Sequence, residues 1–404
     1  MDSPAQAQVI NNRDTPTPAQ PEILRSWLTY FLQTIRQEER DVLLPSAPTD
    51  WPQFISAIDF HQLAPLLYWS LQARPNAVQP PPTVMQQLRA NQIKATIQSL
   101  QRTQELRTIL AALNAAGIRP TLYKGSALAY TVYPSPVCRT MGDLDLWVRS
   151  EEMATAQATI ESLGYHPKLK TERPFALQGQ SDGEIQLLGQ GIGKGLIELH
   201  WGVFAGQWLH RAATIDREAI RRRSVATELF DTPIYLLANE DAVIQVAVHL
   251  GINHQLSLHP LRSLLDIALL DQQKLDWAVV IERVRQWRLA TVMSVVLDLL
   301  ISIFGAAELS PGANAAAAAL HSTTHRHLFR KRWRNPAILF NQTKISASRN
   351  RFFYLLNMVD KPTDTLYLFM RTLWPEDEWL VARYGNANSA VRLQHIKSAC
   401  QGKL

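Results

Sequence analysis

The chain has 404 residues, 46% of them hydrophobic, and its 41 basic and 35 acidic side chains leave a formal charge of +6. That length and apolar content suffice for two or three packed units and exclude a wholly disordered polypeptide. Only two cysteines occur, Cys138 and Cys400, far apart and outside any metal-type spacing, which excludes a disulfide scaffold and a cysteine zinc site. A reducing compartment fits this usage, so a cytoplasmic location is expected. The charge is unevenly placed: from His321 onward there are 14 Lys/Arg against 5 Asp/Glu, which leaves 27 against 30 before that point.

Residues 1–21 are rich in Pro, Gln and Asn and carry no basic segment followed by an apolar one. They read as a disordered leader and not as a signal peptide. Apolar residues then recur at three- and four-residue steps from Glu22 to about Arg40 and from Trp51 to Gln72, the period of amphipathic helices. After the linker RPNAVQPPPT, Thr83 can cap a long helix that Gly117 ends. Its expected apolar side carries Met85, Leu88, Ile93, Ile97, Leu100, Leu106, Ile109, Leu110 and Leu113. Residues 22–116 thus form an N-terminal helical region.

Strand signals cluster between Gly117 and Val203 and nowhere else. IRPTLY, LDLWV, EIQLLG and GLIELHW read as strands, the last two joined by the Gly-rich turn QGIGKG. SALAYTVY and SEEMATAQATIESLGY read as the helices between them. Residues 117–232 are therefore expected to be an α/β core, and from about Pro233 the helical period returns, giving a helical region 233–404 with a basic tail. Within it VMSVVLDLLISIFGAA, Val292 to Ala307, contains Asp298 and is shorter than the roughly 20 residues a bilayer span needs. It reads as a buried helix, and no transmembrane segment is expected. The fold class is α+β: a small mixed sheet flanked by N-terminal helices and a mostly helical C-terminal region.

The chemistry concentrates in LYKGSALAYTVYPSPVCRTMGDLDLWV, residues 122–148. Side chains alternate along a strand, so Asp143 and Asp145 share one face while Leu144 and Leu146 take the other. Two carboxylates that close repel unless a cation lies between them, and Mg²⁺ is commonly held by one or two carboxylates together with substrate phosphates. A second ion about 4 Å away would make a two-ion site. Glu198, between Ile197 and Leu199, is the best third carboxylate, and Glu184 a weaker one. Gly125 allows the backbone to approach a phosphate, Ser126 opens a helix whose amides favour an anion, and Lys124 and Arg139 add positive charge. A plainer reading of Arg139 is a salt bridge to Asp143, and of Lys124 a surface lysine.

These elements resemble the nucleotidyltransferase superfamily, the fold shared with DNA polymerase beta, whose signature is a Gly-Gly or Gly-Ser turn, then Asp-x-Asp, then a later acidic strand. More closely, YKGSALAYTVYP, RTMGDLDL and ELHW resemble an uncharacterised bacterial nucleotidyltransferase family. The resemblance extends to HLGINHQLSLHPLRSLLDIALL and LWPEDEWLVARYG, and so covers most of the chain after residue 50. It departs from many superfamily members in the 16 residues between Ser126 and Asp143. It implies a Mg²⁺-dependent transfer of a nucleoside monophosphate from an NTP to an acceptor, with release of pyrophosphate. Asp143, Asp145 and Glu198 would be the catalytic and metal residues, and Lys124, Gly125, Ser126 and Arg139 the nucleotide-binding ones. The acceptor stays open among RNA, protein and a small molecule. The alternative is a non-catalytic nucleotide-binding or scaffold protein that kept the fold.

Two further features lie outside this constellation. His249, His254 and His259 are five residues apart, so on a helix each is rotated about 140° from the last and they share no face for a metal. THRHLFRKRWRNPAILF, residues 324–340, mixes arginines with aromatics and fits a nucleic-acid surface, an acidic lipid surface or a solvated helix face.

Overall fold

Alternation along the strand that carries the two aspartates divides the molecule into an apolar side and a polar side. The computed structural model describes residues 21–36, 44–74, 78–168, 183–191, 193–204, 206–321, 333–340 and 348–401. The leader 1–20 and residues 324–332 of the basic-aromatic segment lie outside the described residues.

Seven strands form one mixed sheet in the order β3-β4-β5-β2-β1-β7-β6. They are β1 (Thr121–Leu122), β2 (Asp143–Trp147), β3 (Tyr165–Pro167), β4 (Glu184–Gly189), β5 (Leu196–His200), β6 (Val225–Leu229) and β7 (Thr232–Leu236). β2 runs parallel to β5 and β1 parallel to β7, and the other neighbours are antiparallel. Leu144, Leu146, Ile197, Leu199 and Leu187 point to one face, where they close a core with Leu106, Ile109, Leu110 and Leu113 of the helix Pro82–Ala115 and with Ile160 of Met153–Ser162. The opposite face carries Asp143, Asp145, Glu198 and His200 and looks toward the C-terminal helices. Tyr123 and Trp147, on the margin of that face, join the larger core that those helices build with the N-terminal ones.

The expected α+β architecture is present, with three differences of detail. The sheet does not end near Val203: β6 and β7 form a hairpin beside β1, so the core sheet runs past residue 232 to Leu236. Pro233 hides β7 in the sequence, since it lacks a backbone donor. It is tolerated because it pairs only with Glu228 of β6, whereas β7 meets β1 at Tyr235 and Leu236. Phe230 and Asp231 make the turn at φ 56° and 59°, the left-handed pair a two-residue hairpin requires, without the usual Asn-Gly.

The helix expected over 51–72 is two, Trp51–Phe60 and Ala64–Ala73, broken at Gln62 with φ 55°. On the helix Pro82–Ala115, Ile93, Ile97 and Leu100 are 57%, 54% and 64% exposed and not buried. Its N-terminal turns pack through Val84 and Leu88 on the helical core and its C-terminal turns pack beneath the sheet, so the middle bridges two cores and buries only the small side chains of Ala95 and Ser99. The apolar segment near Val292 is the helix Ala290–Phe304, ended by Gly305 at φ 83°. No helix among the described residues is long and apolar enough to cross a membrane.

The long helix also sets where β2 and β5 begin. Glu105, 6% exposed, accepts from the Tyr165 hydroxyl (2.6 Å) and the Gly195 N–H (2.7 Å), and pairs with Arg102. Arg102 in turn donates to the Gly142 carbonyl at 3.1 Å. One turn of helix therefore fixes the residue before Leu196 and the residue before Asp143. A Cβ at Gly195 would meet the Arg102 guanidinium, so a side chain there would have to displace Arg102 from Glu105 and Gly142. Glu105→Ala leaves Arg102, Tyr165 and Gly195 short of an acceptor and is expected to lower stability by about 2–4 kcal/mol in urea denaturation. Glu105→Gln keeps the shape and is expected to lose less.

Candidate active site

Strand register brings the carboxylates together. Asp145 of β2 lies opposite Glu198 of β5, which lies opposite Gln186 of β4. In the next row on the same face Trp147 opposes His200, and His200 opposes Glu184. Asp143, Asp145, Glu184 and Glu198 all line one cavity of about 340 Å³ between this face and the C-terminal helices. Glu198 lies on the face of the two aspartates, as the sequence leads one to expect, and Glu184, the weaker candidate, lies beside it.

Two cations hold the cluster together. Lys124 Nζ stands 2.8 Å from Asp145 Oδ1 and 3.8 Å from Glu198 Oε2. His200 is fully buried, with Nε2 3.1 Å from Asp145 Oδ1 and 3.6 Å from Glu198 Oε2, and Nδ1 3.3 Å from Glu184. Burial disfavours a charged imidazole, but the hydrogen bonds to Asp145 and Glu198 outweigh it and push His200 up to about 9. Burial likewise opposes the Lys124 charge, and Asp145 overcomes it and holds the ammonium well above its usual range. Burial raises Glu198, yet His200 and Lys124 together hold it well below the ordinary carboxylate range. Among the described residues Asp143 makes no such ion pair. Burial first, then repulsion from Asp145 and Glu198, lift it to about 6.

Lys124 reaches the cluster from a strained backbone. Its φ of 52° and ψ of −138° lie where a non-glycine residue is disfavoured by on the order of 1–3 kcal/mol. The helix Gly125–Thr131 follows directly. Gly125 lines the cavity, and a Cβ there would stand 3.5 Å from Arg139 Nη1. Ser126 is buried, and its hydroxyl accepts the Asp145 N–H at 2.8 Å, so this side chain locks the turn to β2.

Arg139 is 7% exposed and its carboxylate partner is not Asp143. Its Nε and Nη2 form a fork on Asp266 at 2.9 and 2.8 Å, and Nη1 donates to the Thr140 carbonyl at 3.0 Å. Asp266 also accepts the Tyr133 hydroxyl at 2.7 Å. Burial opposes the Arg139 charge, and Asp266 more than restores it. This clamp ties the segment before β2 to the helix Pro260–Leu270.

The far wall of the cavity comes from the C-terminal helical region and includes Arg262, His249, His254 and His259, with Phe204 added by the segment after β5. Regular helical spacing would separate the three histidines. The π-helical turn His249–Asn253 and the left-handed residues Gln255, Leu256 and His259 bend the chain, so all three line one cavity. Arg262 and Asp266 do not stand out in the sequence as site residues. Their only signal is two charges one turn apart on a helix whose other residues are, apart from Pro260 and Ser263, Leu, Ile and Ala.

The donor set suits a hard cation. Oxygen from Asp143, Asp145 and Glu198 is what Mg²⁺ prefers, and ligand atoms of Asp145 and Glu198 lie within 4.8 Å of each other and of His200, which could join them only after losing its proton. Residues 47–305 match the model of a family described as uncharacterised nucleotidyltransferase. No curated protein matches the chain.

The raised Asp143 carboxyl sets a pH dependence. The folded state holds its proton up to about pH 6 while the unfolded chain releases it near 4, so ionisation removes stability as pH rises through that window. In EDTA, Asp143→Asn is expected to be more stable than the parent protein at pH 8, by on the order of 1–3 kcal/mol, with the gain fading toward pH 4. Urea denaturation across pH 4–8 checks it, and a gain that does not depend on pH would contradict the assignment.

Proposed function

Because the chain belongs to the uncharacterised nucleotidyltransferase family, we propose that it transfers a nucleoside monophosphate from an NTP to an acceptor in a Mg²⁺-dependent reaction. The observation that carries the reading is the convergence of Asp143, Asp145 and Glu198 on one cavity beside the Lys124-Gly125 turn. Asp143, Asp145 and Glu198 would hold Mg²⁺, which when bound supplies charge to the phosphates and acidifies an attacking hydroxyl.

In this reading Lys124 is neutraliser in the resting protein and turns to the phosphates once substrate arrives. The Gly125-Ser126 turn receives the triphosphate, with Ser126 holding the turn against β2. Arg139 Nη1 faces the same turn, while the fork on Asp266 fixes its position. The acceptor oxygen attacks the α-phosphorus, the new O–P bond forms, the bond to the β-phosphate bridge breaks, and pyrophosphate leaves. The acceptor proton passes to a carboxylate. Position along the sequence favours Glu198, the third carboxylate of the set, as this base.

For the acceptor, charge favours RNA over a small molecule: the last 84 residues carry +9 (14 minus 5). Phe353, Tyr367 and Trp374 are 55%, 42% and 53% exposed in that region, where they could stack bases. The second reading, a nucleotide-binding scaffold without chemistry, is favoured by one observation, the Lys124–Asp145 ion pair within the carboxylate cluster.

Incubation with α-³²P-labelled NTPs, Mg²⁺ and a cell extract separated into RNA, protein and metabolites distinguishes these. The expected result is label in RNA that requires Mg²⁺, declines with salt as phosphate contacts are screened, and disappears with Asp145→Asn. Label in protein or metabolites alone removes the RNA acceptor and keeps the reaction. Mg²⁺-dependent NTP binding with no label anywhere supports the scaffold.

A further inference from the structure

The cavity has unlike walls. Its sheet side is acidic, and its helical side carries Arg262 on the first turn of Pro260–Leu270, beside His254 and His259. Arg262 Nη1 bonds to the Gln62 side-chain oxygen and lies 3.5 Å from the Thr140 carbonyl, both neutral acceptors. Its buried Nε has no acceptor among the described residues. The nearest carboxylate on its own helix, Asp266, is already engaged by the Arg139 fork and the Tyr133 hydroxyl.

Among the described residues Arg262 makes no ion pair, whereas Lys124 and Arg139, the other cations of the cavity, both do. A guanidinium taken out of water without a counter-ion is costly, and here burial and then the Arg139 charge push it down to about 9. The imidazoles beside it respond to the same field. Burial and then neighbouring cations, Lys124 and Arg262 at His254 and Arg262 at His259, hold both at about 4, so they face the cavity neutral. His254 Nδ1 is buried with no partner among the described residues. The group that would complete this wall is an anion with several acceptor oxygens.

We infer that Arg262, with His254 beside it, is the subsite for the terminal phosphates of the nucleoside triphosphate. The inference rests on the nucleotidyl-transfer reading and moves the main phosphate contact from Arg139 to Arg262. A triphosphate fits because the cavity asks for negative charge on one wall and, through a cation held by carboxylates, accepts it from the other. A planar guanidinium binds phosphate oxygens in pairs, and Nε of Arg262 is one donor left without an acceptor among the described residues. The inference gives Arg262 a substrate contact and leaves Arg139 a positioning residue.

The test is calorimetric titration of the full chain and of Arg262→Gln with MgATP, MgGTP, MgCTP and MgUTP, with the four monophosphates, and with inorganic tripolyphosphate without metal. Arg262→Gln is expected to weaken tripolyphosphate and whichever NTP binds by about 10- to 100-fold, the loss of a charge-assisted contact, and to leave the monophosphates unchanged. A variant that binds tripolyphosphate and NTP like the parent overturns the subsite. So does equal weakening of mono- and triphosphates, which marks a packing defect. Asp145→Asn separates the two readings. If it abolishes Mg²⁺-dependent NTP binding while Arg262→Gln does nothing, nucleotidyl transfer stands and the subsite falls. If no NTP binds the parent but tripolyphosphate does so through Arg262, the anion site stands alone, and binding of neither overturns it. Should Arg262→Gln not fold, Arg262→Lys keeps the charge without the fork and is expected to retain monophosphate binding and lose affinity for tripolyphosphate.

Discussion

On the cavity face of β2, β4 and β5, strand register alone brings Asp143, Asp145, Glu184 and Glu198 to one place, and their mutual repulsion must be answered before the sheet can close. Two like charges about 4 Å apart oppose each other by roughly 4 kcal/mol at an effective dielectric of about 20. Lys124 and His200 answer it, each touching both Asp145 and Glu198. The answer has conditions. His200 must stay charged in full burial, which the carboxylates enforce, and Lys124 must reach inward from a strained turn that Ser126 pins to β2. Asp143 lies beyond this compensation and therefore keeps its proton to unusually high pH.

The same logic of charge and counter-charge joins the helical unit to the sheet. The Arg139 fork on Asp266 spans 127 residues of chain and is almost wholly buried, so it is strong only while both partners are present. It aligns the helix Pro260–Leu270 with the approach to β2. One turn before Asp266, that helix then aims Arg262 at the cavity. On the other side of the sheet Glu105 and Arg102 fix the entry points of β5 and β2. The carboxylates are thus held from beneath by the long helix and faced from above by the C-terminal helices.

What can be read from the sequence is whatever depends on period and neighbours. Alternation along a strand is local, so it puts Asp143 and Asp145 on a common face and gives Glu198 a face opposite its apolar neighbours. The long helix, the Gly117 stop and the buried helix near Val292 are legible for the same reason. Partners set by tertiary packing are not. Along the chain the obvious carboxylate for Arg139 is Asp143, four residues away, and its actual partner is Asp266. Ile93, Ile97 and Leu100 obey the helical period of a buried face and yet are exposed, because period reports a face without saying how far the neighbouring layer extends. β7 is hidden by Pro233, whose missing donor falls where β1 has no residue to pair. The histidine wall needs a π-helical turn and three left-handed residues that no spacing rule anticipates.

These local strains and repulsions bear on whether the fold is kept for chemistry. A scaffold would be more stable with an amide in place of Asp143 and without the strained backbone at Lys124, since strain, buried like charges and a guanidinium with no ion pair among the described residues all oppose folding. All three disfavoured features border the same cavity. An anion bound through a divalent cation would answer two of them together: Asp143, Asp145 and Glu198 would hold the cation, whose charge would offset their repulsion, and Arg262 would gain a counter-charge. A ligand with one end for the cation and another for the guanidinium therefore matches the cavity better than a bare metal ion, which leaves Arg262 unpaired, or a simple anion, which leaves Asp143 opposed.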